Sequence, residues 1–189
     1  MATPSIKGSA IAAHMDDLRA LVESGRLGQD ELELHLEAQD IRLLDEKIEP
    51  SLWYPIDSAD RIAKLLAAHR GADAIRYGKE MGRRSMQMVL AQEGIRRFVA
   101  GALGRGDKAG PALVGLASLV FNFGRWSFEG ESLSNFRIVM SEAAALPATS
   151  LHSVAGFIEA LSDSVLHRRI QVSATRLDED RVIWEGRPA

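Results

Sequence analysis

The hydrophobic period of this chain first changes near Trp126, and that change constrains the fold more than any other feature. Upstream, apolar residues recur every three to four positions, the spacing of one helix face. Downstream they alternate, the spacing of a half-buried strand. A helical stripe of Ile11, His14, Met15, Leu18, Leu21 and Val22 predicts a helix from about Ser9 to Ser24. Residues 30–48, rich in Glu, Leu and Ala, read as short helices, and Pro50 and Pro55 bracket an extended connector. Asp57 or Ser58 is the expected cap of a helix carrying Ile62, Leu65, Leu66 and His69, stopped at Gly71. Longer helices follow over about 72–92, 93–103 and onward from Pro111, the last expected to be the most buried. After the switch, Phe136, Ile138 and Met140 alternate, as do Ile170, Val172 and Ala174, then Val182 and Trp184. Between them Thr149 or Ser150 heads a helix bearing Leu151, Val154, Ala155, Ile158, Leu161 and Val165. The expectation is an α+β fold: a helical body with a small C-terminal antiparallel sheet, ending strand–helix–strand–strand. We expect one domain over 1–189, with a helical N-terminal arm (1–50), a helical body (51–127) and a strand–helix–hairpin subdomain (128–189).

Charge is unevenly distributed along the 189 residues. The net charge of −3 conceals eight acids against two bases over 30–49, and eleven bases against four acids over 61–108. Such asymmetry fits a partner surface or an acidic arm folded over its own basic helices; the spread of the bases favours the arm. With 46% hydrophobic and 26% charged residues the chain has the makeup of a soluble domain. No cysteine is present, which removes disulfides, thiolate catalysis and thiolate metal sites, and suits a reducing, cytoplasmic setting. No signal peptide and no membrane span is expected.

Motifs that carry chemistry are scarce. Gly101 to Lys108 superficially resembles a phosphate loop, but Asp107 stands where a lysine is required, and a helix precedes it where a strand should. There is no Gly-x-Ser-x-Gly elbow and no histidine pair at helical spacing, and Asp16-Asp17 point apart on a helix, which reads them as solvated surface acids. We therefore expect no enzyme, no catalytic residue and no metal site. The doublets Arg83-Arg84 and Arg96-Arg97 lack the aromatic interleaving of a nucleic-acid surface, so no nucleic-acid partner is expected.

Three features remain as candidates. His14 and His69 each sit on an apolar helical stripe, a setting that suits an axial haem ligand or an ordinary buried histidine. Trp53, Tyr54, Phe121, Phe123, Trp126 and Phe128 lie near the helix-to-sheet junction and could wall a pocket for an apolar ligand or simply pack the core. Gly78, Gly82 and Ser85 form a small-residue column at helical spacing, which allows close helix packing within the domain or across a homodimer.

A resemblance adds to this. Asn135–Ser141, Val154–Leu161, Arg169–Arg176 and Arg181–Glu185 resemble the closing half of a superfamily containing haem nitric-oxide-binding domains, four-vinyl-reductase domains and TRAPP-type trafficking subunits. Trp53-Tyr-Pro-Ile56 with Met81-Gly-Arg-Arg84 resembles an uncharacterised paralogous family of similar length, known chiefly from myxobacteria. The resemblance implies an α+β fold that holds an apolar ligand or presents a helical dimer surface. The Tyr-x-Ser-x-Arg motif that grips haem propionates in the haem domains is absent here, and so is every cysteine. The leading expectation is a non-enzymatic signalling or adaptor domain acting through protein contacts, with an apolar ligand as an option. The alternatives are a haem-based gas sensor and, by analogy with the trafficking subunits alone, a small-GTPase partner.

Overall fold

A computed structural model describes residues 3–71, 73–103, 109–132, 135–167 and 169–189. The chain opens with β1 (Ser5–Lys7), then α1 (Gly8–Glu23), α2 (Gln29–His35) and α3 (Ala38–Arg42). It continues with β2 (Trp53–Pro55), α4 (Ile56–His69), α5 (Ala74–Leu90), α6 (Glu93–Leu103) and α7 (Ala109–Val120). The C-terminal part is β3 (Arg125–Ser132), β4 (Asn135–Ser141), α8 (Ala148–Leu166), β5 (Ile170–Asp178) and β6 (Arg181–Pro188). The fold is α+β, with an antiparallel sheet in the order β3-β4-β6-β5 and a two-stranded pair of β1 and β2. No described helix is long and apolar enough to cross a membrane.

The extended connector expected between the prolines is extended and forms a strand, because Tyr54 pairs with Ile6 and Trp53 with Lys7. Several other local expectations are corrected. Neither Asp57 nor Ser58 caps α4; its N-cap is Pro55, and no side chain closes the first turn. Pro147 likewise precedes α8, and Thr149 spends its hydroxyl on Asp60 Oδ1 at 2.6 Å. Helix α7 is not the most buried helix: Leu119 is 57% exposed, whereas α4 buries eight of its fourteen residues. The sheet has a fourth strand, β3, which pairs Trp126 with Met140 and Phe128 with Ile138. The Gly104–Asp107 loop lies outside the described residues.

The acidic arm is fastened to the chain's own helices. Asp40, fully buried, accepts from Arg61 Nε at 2.6 Å and Nη2 at 3.0 Å, and Glu37 pairs with the same guanidinium at 3.0 Å. Burial raises the Asp40 carboxyl, but hydrogen bonds from Arg61, Ser58 and the Glu37 backbone outweigh it and hold the pKa below its ordinary value. Arg19 on α1 donates to the carbonyls of Leu43 and Leu44, closing the arm's far end.

Helices α5 and α8 form the tightest helix pair. At Gly82 an added Cβ would stand 1.8 Å from the Ser153 carbonyl oxygen, and at Gly156 one would stand 2.1 Å from that of Lys79. Gly78 meets His152 and Thr149 in the same seam. Ser85 donates across the other side, to the Ala10 carbonyl of α1 at 3.3 Å. The small-residue column therefore packs inside the chain, and its homodimer reading is withdrawn. Buried Glu159 joins the layers, accepting from Lys79 and Arg83 of α5, each at 2.6 Å, and from the Val172 amide of β5 at 3.0 Å.

Candidate functional site

Small side chains from several helices face one another where the helical body meets the sheet, and they leave a cavity of about 80 Å³. Ala10 and His14 of α1, Ala59 and Ala63 of α4, and Gly82 and Ser85 of α5 form one wall. Leu113, Leu116, Ala117 and Val120 of α7 with Phe121 form another, Trp126 and Ile138 close the sheet side, and α8 supplies Thr149 to Ile158. Among the described lining residues none is Lys, Arg, Asp or Glu. The volume holds several waters or one small ligand. It is well short of the roughly 300–1,000 Å³ of pockets for larger ligands.

His14 is the cavity's titratable wall residue. Its Nδ1 lies 3.0 Å from the Tyr77 hydroxyl, and the ring is 7% exposed. Burial lowers its pKa to about 4; Asp17 opposes that shift, while Arg84 and Arg70 add to it. The imidazole is thus neutral at pH 7. Burial also pushes the Tyr77 phenol up, so it stays protonated. Behind this pair, Asp17 bridges Arg70 and Arg84, each at 2.7 Å. Asp17 is therefore paired and only Asp16 of the doublet is solvated, a correction to the reading of both as surface acids.

The aromatic candidates are brought together only in part: Phe121, Phe123 and Trp126 form one cluster, and Phe128, Trp53 and Tyr54 lie apart from it. Phe121 and Trp126 line the cavity with ring centroids 5.5 Å apart. Phe123 packs edge-on against Phe121, and Phe128 stacks on Phe136 beneath Gly110. Tyr54 lies elsewhere, accepting from the Glu49 amide at 3.0 Å, and Trp53 sits under the Lys7 ammonium at 3.8 Å. His69 ends α4, away from the cavity lining. The arginine doublets serve ion pairs: Arg83 with Glu159, Arg84 with Asp17, Arg97 with Glu93. Sequence reasoning missed Ala59, Ala63 and Leu113 as lining residues, because an inward alanine reads as ordinary helix. It also missed Trp184, which is fully buried and stacks on Trp126 at 5.2 Å.

No family model matches the chain, and no curated protein matches its sequence. Solved structures do match it over nearly its whole length. An Fe(II) unliganded H-NOX mutant from K. algicida is similar at a TM-score of 0.64 and 10% identity, covering 97% of each chain. A mutant H-NOX of T. tengcongensis is similar at 0.61 and 14%, again over 97% of each chain. A Cs H-NOX mutant is similar at 0.62 and 15%, over 97% of this chain and 96% of that one. At these identities the likeness defines the class of fold, that of the haem nitric-oxide-binding domains. Two further similar structures are described for the distortion of their haem, and haem is therefore the group against which this cavity is measured.

The residues present do not fit a haem. A haem requires an axial ligand, a slot for a macrocycle and partners for two propionates. His14 offers an imidazole, but the cavity is too small for a macrocycle and no described lining residue is a cation. Among the described residues no three His, Asp or Glu gather as a metal site.

Proposed function

We propose that this chain is a small-molecule sensing domain built on the haem nitric-oxide-binding fold, whose ligand is a small apolar molecule held without haem. The observation that carries the reading is the cavity: largely apolar, bounded by both the helical body and the sheet, and lined by alanine, glycine and serine side chains among larger apolar ones. A molecule there touches α1, α5, α7, α8 and β3 together. Its occupancy therefore bears on the α5–α8 seam, where no slack exists to absorb a shift. Output runs through contacts with a protein partner, and no chemical step is required. The domain is a binder, not an enzyme.

Native mass spectrometry of untreated protein tests this directly. A population carrying one small adduct, lost on mild activation, is the expected spectrum. Uniformly bare protein, with no uptake of added apolar probes, overturns the proposal.

A second reading, a haem-based gas sensor, is supported by the fold neighbours and by the His14 imidazole on the cavity wall. The neighbours favour it over a pure adaptor role. It requires the cavity to widen. Reconstitution with haemin decides between the two readings: a sharp Soret band that disappears in His14→Ala establishes the second, and a featureless spectrum removes it.

A further inference from the structure

His14 meets the cavity on one side and an ionic bridge on the other. It follows Ala10 by one turn of α1, both residues line the cavity, and a helical side chain leans back over the turn before it. Its Nδ1 is taken up by the Tyr77 hydroxyl at 3.0 Å, and Tyr77 is not a lining residue. The ring edge that carries Nε2 is thus left for the cavity. No described residue partners Nε2, yet this atom is not sealed. Among the described residues, Trp126 Nε1 is the one side-chain polar atom both unpartnered and closed to solvent. The indole nitrogen therefore reaches no ligand, whereas His14 Nε2 keeps open surface on a residue that is 7% exposed.

Tyr77 also fixes where the ring proton sits. A phenol is a stronger donor than an imidazole N–H, and the Tyr77 hydroxyl has no other hydrogen-bond acceptor among the described residues. It therefore donates to Nδ1, and the neutral imidazole carries its one proton on Nε2.

Resting on the reading of the cavity as a ligand site, we propose that the ligand is an uncharged molecule with an apolar body and one hydrogen-bond acceptor, such as a small ketone, and that His14 Nε2 donates to that acceptor, with Tyr77 as its positioning residue. The other lining groups do not compete for this role. The hydroxyls of Ser85, Thr149 and Ser153 already donate to the Ala10 carbonyl, Asp60 and the Thr149 carbonyl. The Ser150 hydroxyl turns about a single bond and both donates and accepts, so it imposes no acceptor on a ligand. A carboxylate is refused: no described lining residue is Lys or Arg, and Asp17 holds Arg70 and Arg84 behind the ring.

The test titrates the ¹⁵N-labelled full chain at pH 7 with acetone, isobutene and acetate, which share one planar, trigonal shape. The imidazole nitrogens are read through their two-bond couplings to the ring carbon-bound protons. In the wild type Nε2 carries the proton, acetone moves its resonance downfield and isobutene does not, a readout that survives if a variant fails to fold. His14→Leu lowers acetone affinity about tenfold, while isobutene binds at least as tightly as before. Tyr77→Phe gives a mixture of tautomers and a smaller loss of acetone affinity. Ser150→Ala changes acetone affinity less than twofold, and acetate does not bind. A ring protonated on Nδ1, equal losses of acetone and isobutene in His14→Leu, the large loss falling on Ser150→Ala instead, or acetate bound as tightly as acetone overturns the proposal; isobutene binding in those cases leaves the cavity reading standing. Binding of none of the three overturns the cavity reading itself, and this inference with it.

Discussion

Gly82→Ala is the smallest perturbation of the α5–α8 seam, and its cost follows from geometry. The added methyl would meet the Ser153 carbonyl oxygen at 1.8 Å and the Phe157 amide nitrogen at 2.7 Å, both backbone atoms that no rotamer change moves. Ordinary contact begins at 3.4 Å, so α8 must retreat by about 1.6 Å, the gap between 1.8 and 3.4 Å. Helix propensity works the other way, favouring alanine over glycine by about 1 kcal/mol. Overpacking against a rigid partner costs about 1–3 kcal/mol, and backbone on backbone belongs at the top of that range. The net expectation is a loss of about 2 kcal/mol, or a fall in Tm of roughly 4–8 °C for a chain of this size. Gly115→Ala in α7 is the matched control, because its Cβ meets nothing within 4 Å. There propensity acts alone, and a gain of about 0.5–1 kcal/mol is expected. Urea denaturation followed by circular dichroism at 222 nm measures both. A Gly82→Ala protein as stable as wild type, or more so, refutes the packing argument.

Two further outcomes are expected. Because His14 has a folded pKa of about 4 against 6.5 when unfolded, the unfolded state binds the extra proton first as pH falls. Stability is therefore full above pH 6.5 and drops by about 3 kcal/mol in total toward pH 4; His14→Gln should flatten that part of a stability–pH profile, and an unchanged slope would contradict the burial of His14. Asp40→Asn leaves the Arg61 guanidinium without its buried partner while Glu37 still holds one side. Breaking such a half-compensated pair should cost about 2–3 kcal/mol, and limited proteolysis should cut first within 26–52; unaltered stability and cleavage would show that the arm is held by other contacts.

The sequence made the architecture readable where one signal dominated. The alternation at Phe136, Ile138 and Met140, and again at Val182 and Trp184, placed two strands that are buried on one face. Strand β3 was hidden because Trp126 and Phe128 stand in an aromatic run, where clustering masked the alternation. Strands β1 and β2 are three residues each, too short for any periodicity, and exist because Ser5 to Lys7 and Trp53 to Pro55 find each other across the fold. The Gly78–Gly82 column was legible as a close approach, but its partner was not, since a missing Cβ says that a neighbour comes near and not which one. The cavity was the least legible. Its walls draw alanines, leucines and small polar residues from distant elements, and nothing in the sequence marks those residues as neighbours. Asp17 shows the converse: two adjacent acids look alike in sequence, and only the positions of Arg70 and Arg84 separate a half-buried bridge from a solvated side chain.

The central claim, an apolar ligand site bounded by the helical body and the sheet, is tested most directly by a crystal of the purified protein under xenon pressure. Xenon enters apolar cavities and leaves polar ones to water. The account predicts a xenon peak bounded by His14, Gly82, Phe121, Trp126 and Phe157, with no ordered water in its place. Ordered water throughout the cavity, or side chains collapsed to fill it, would contradict the claim.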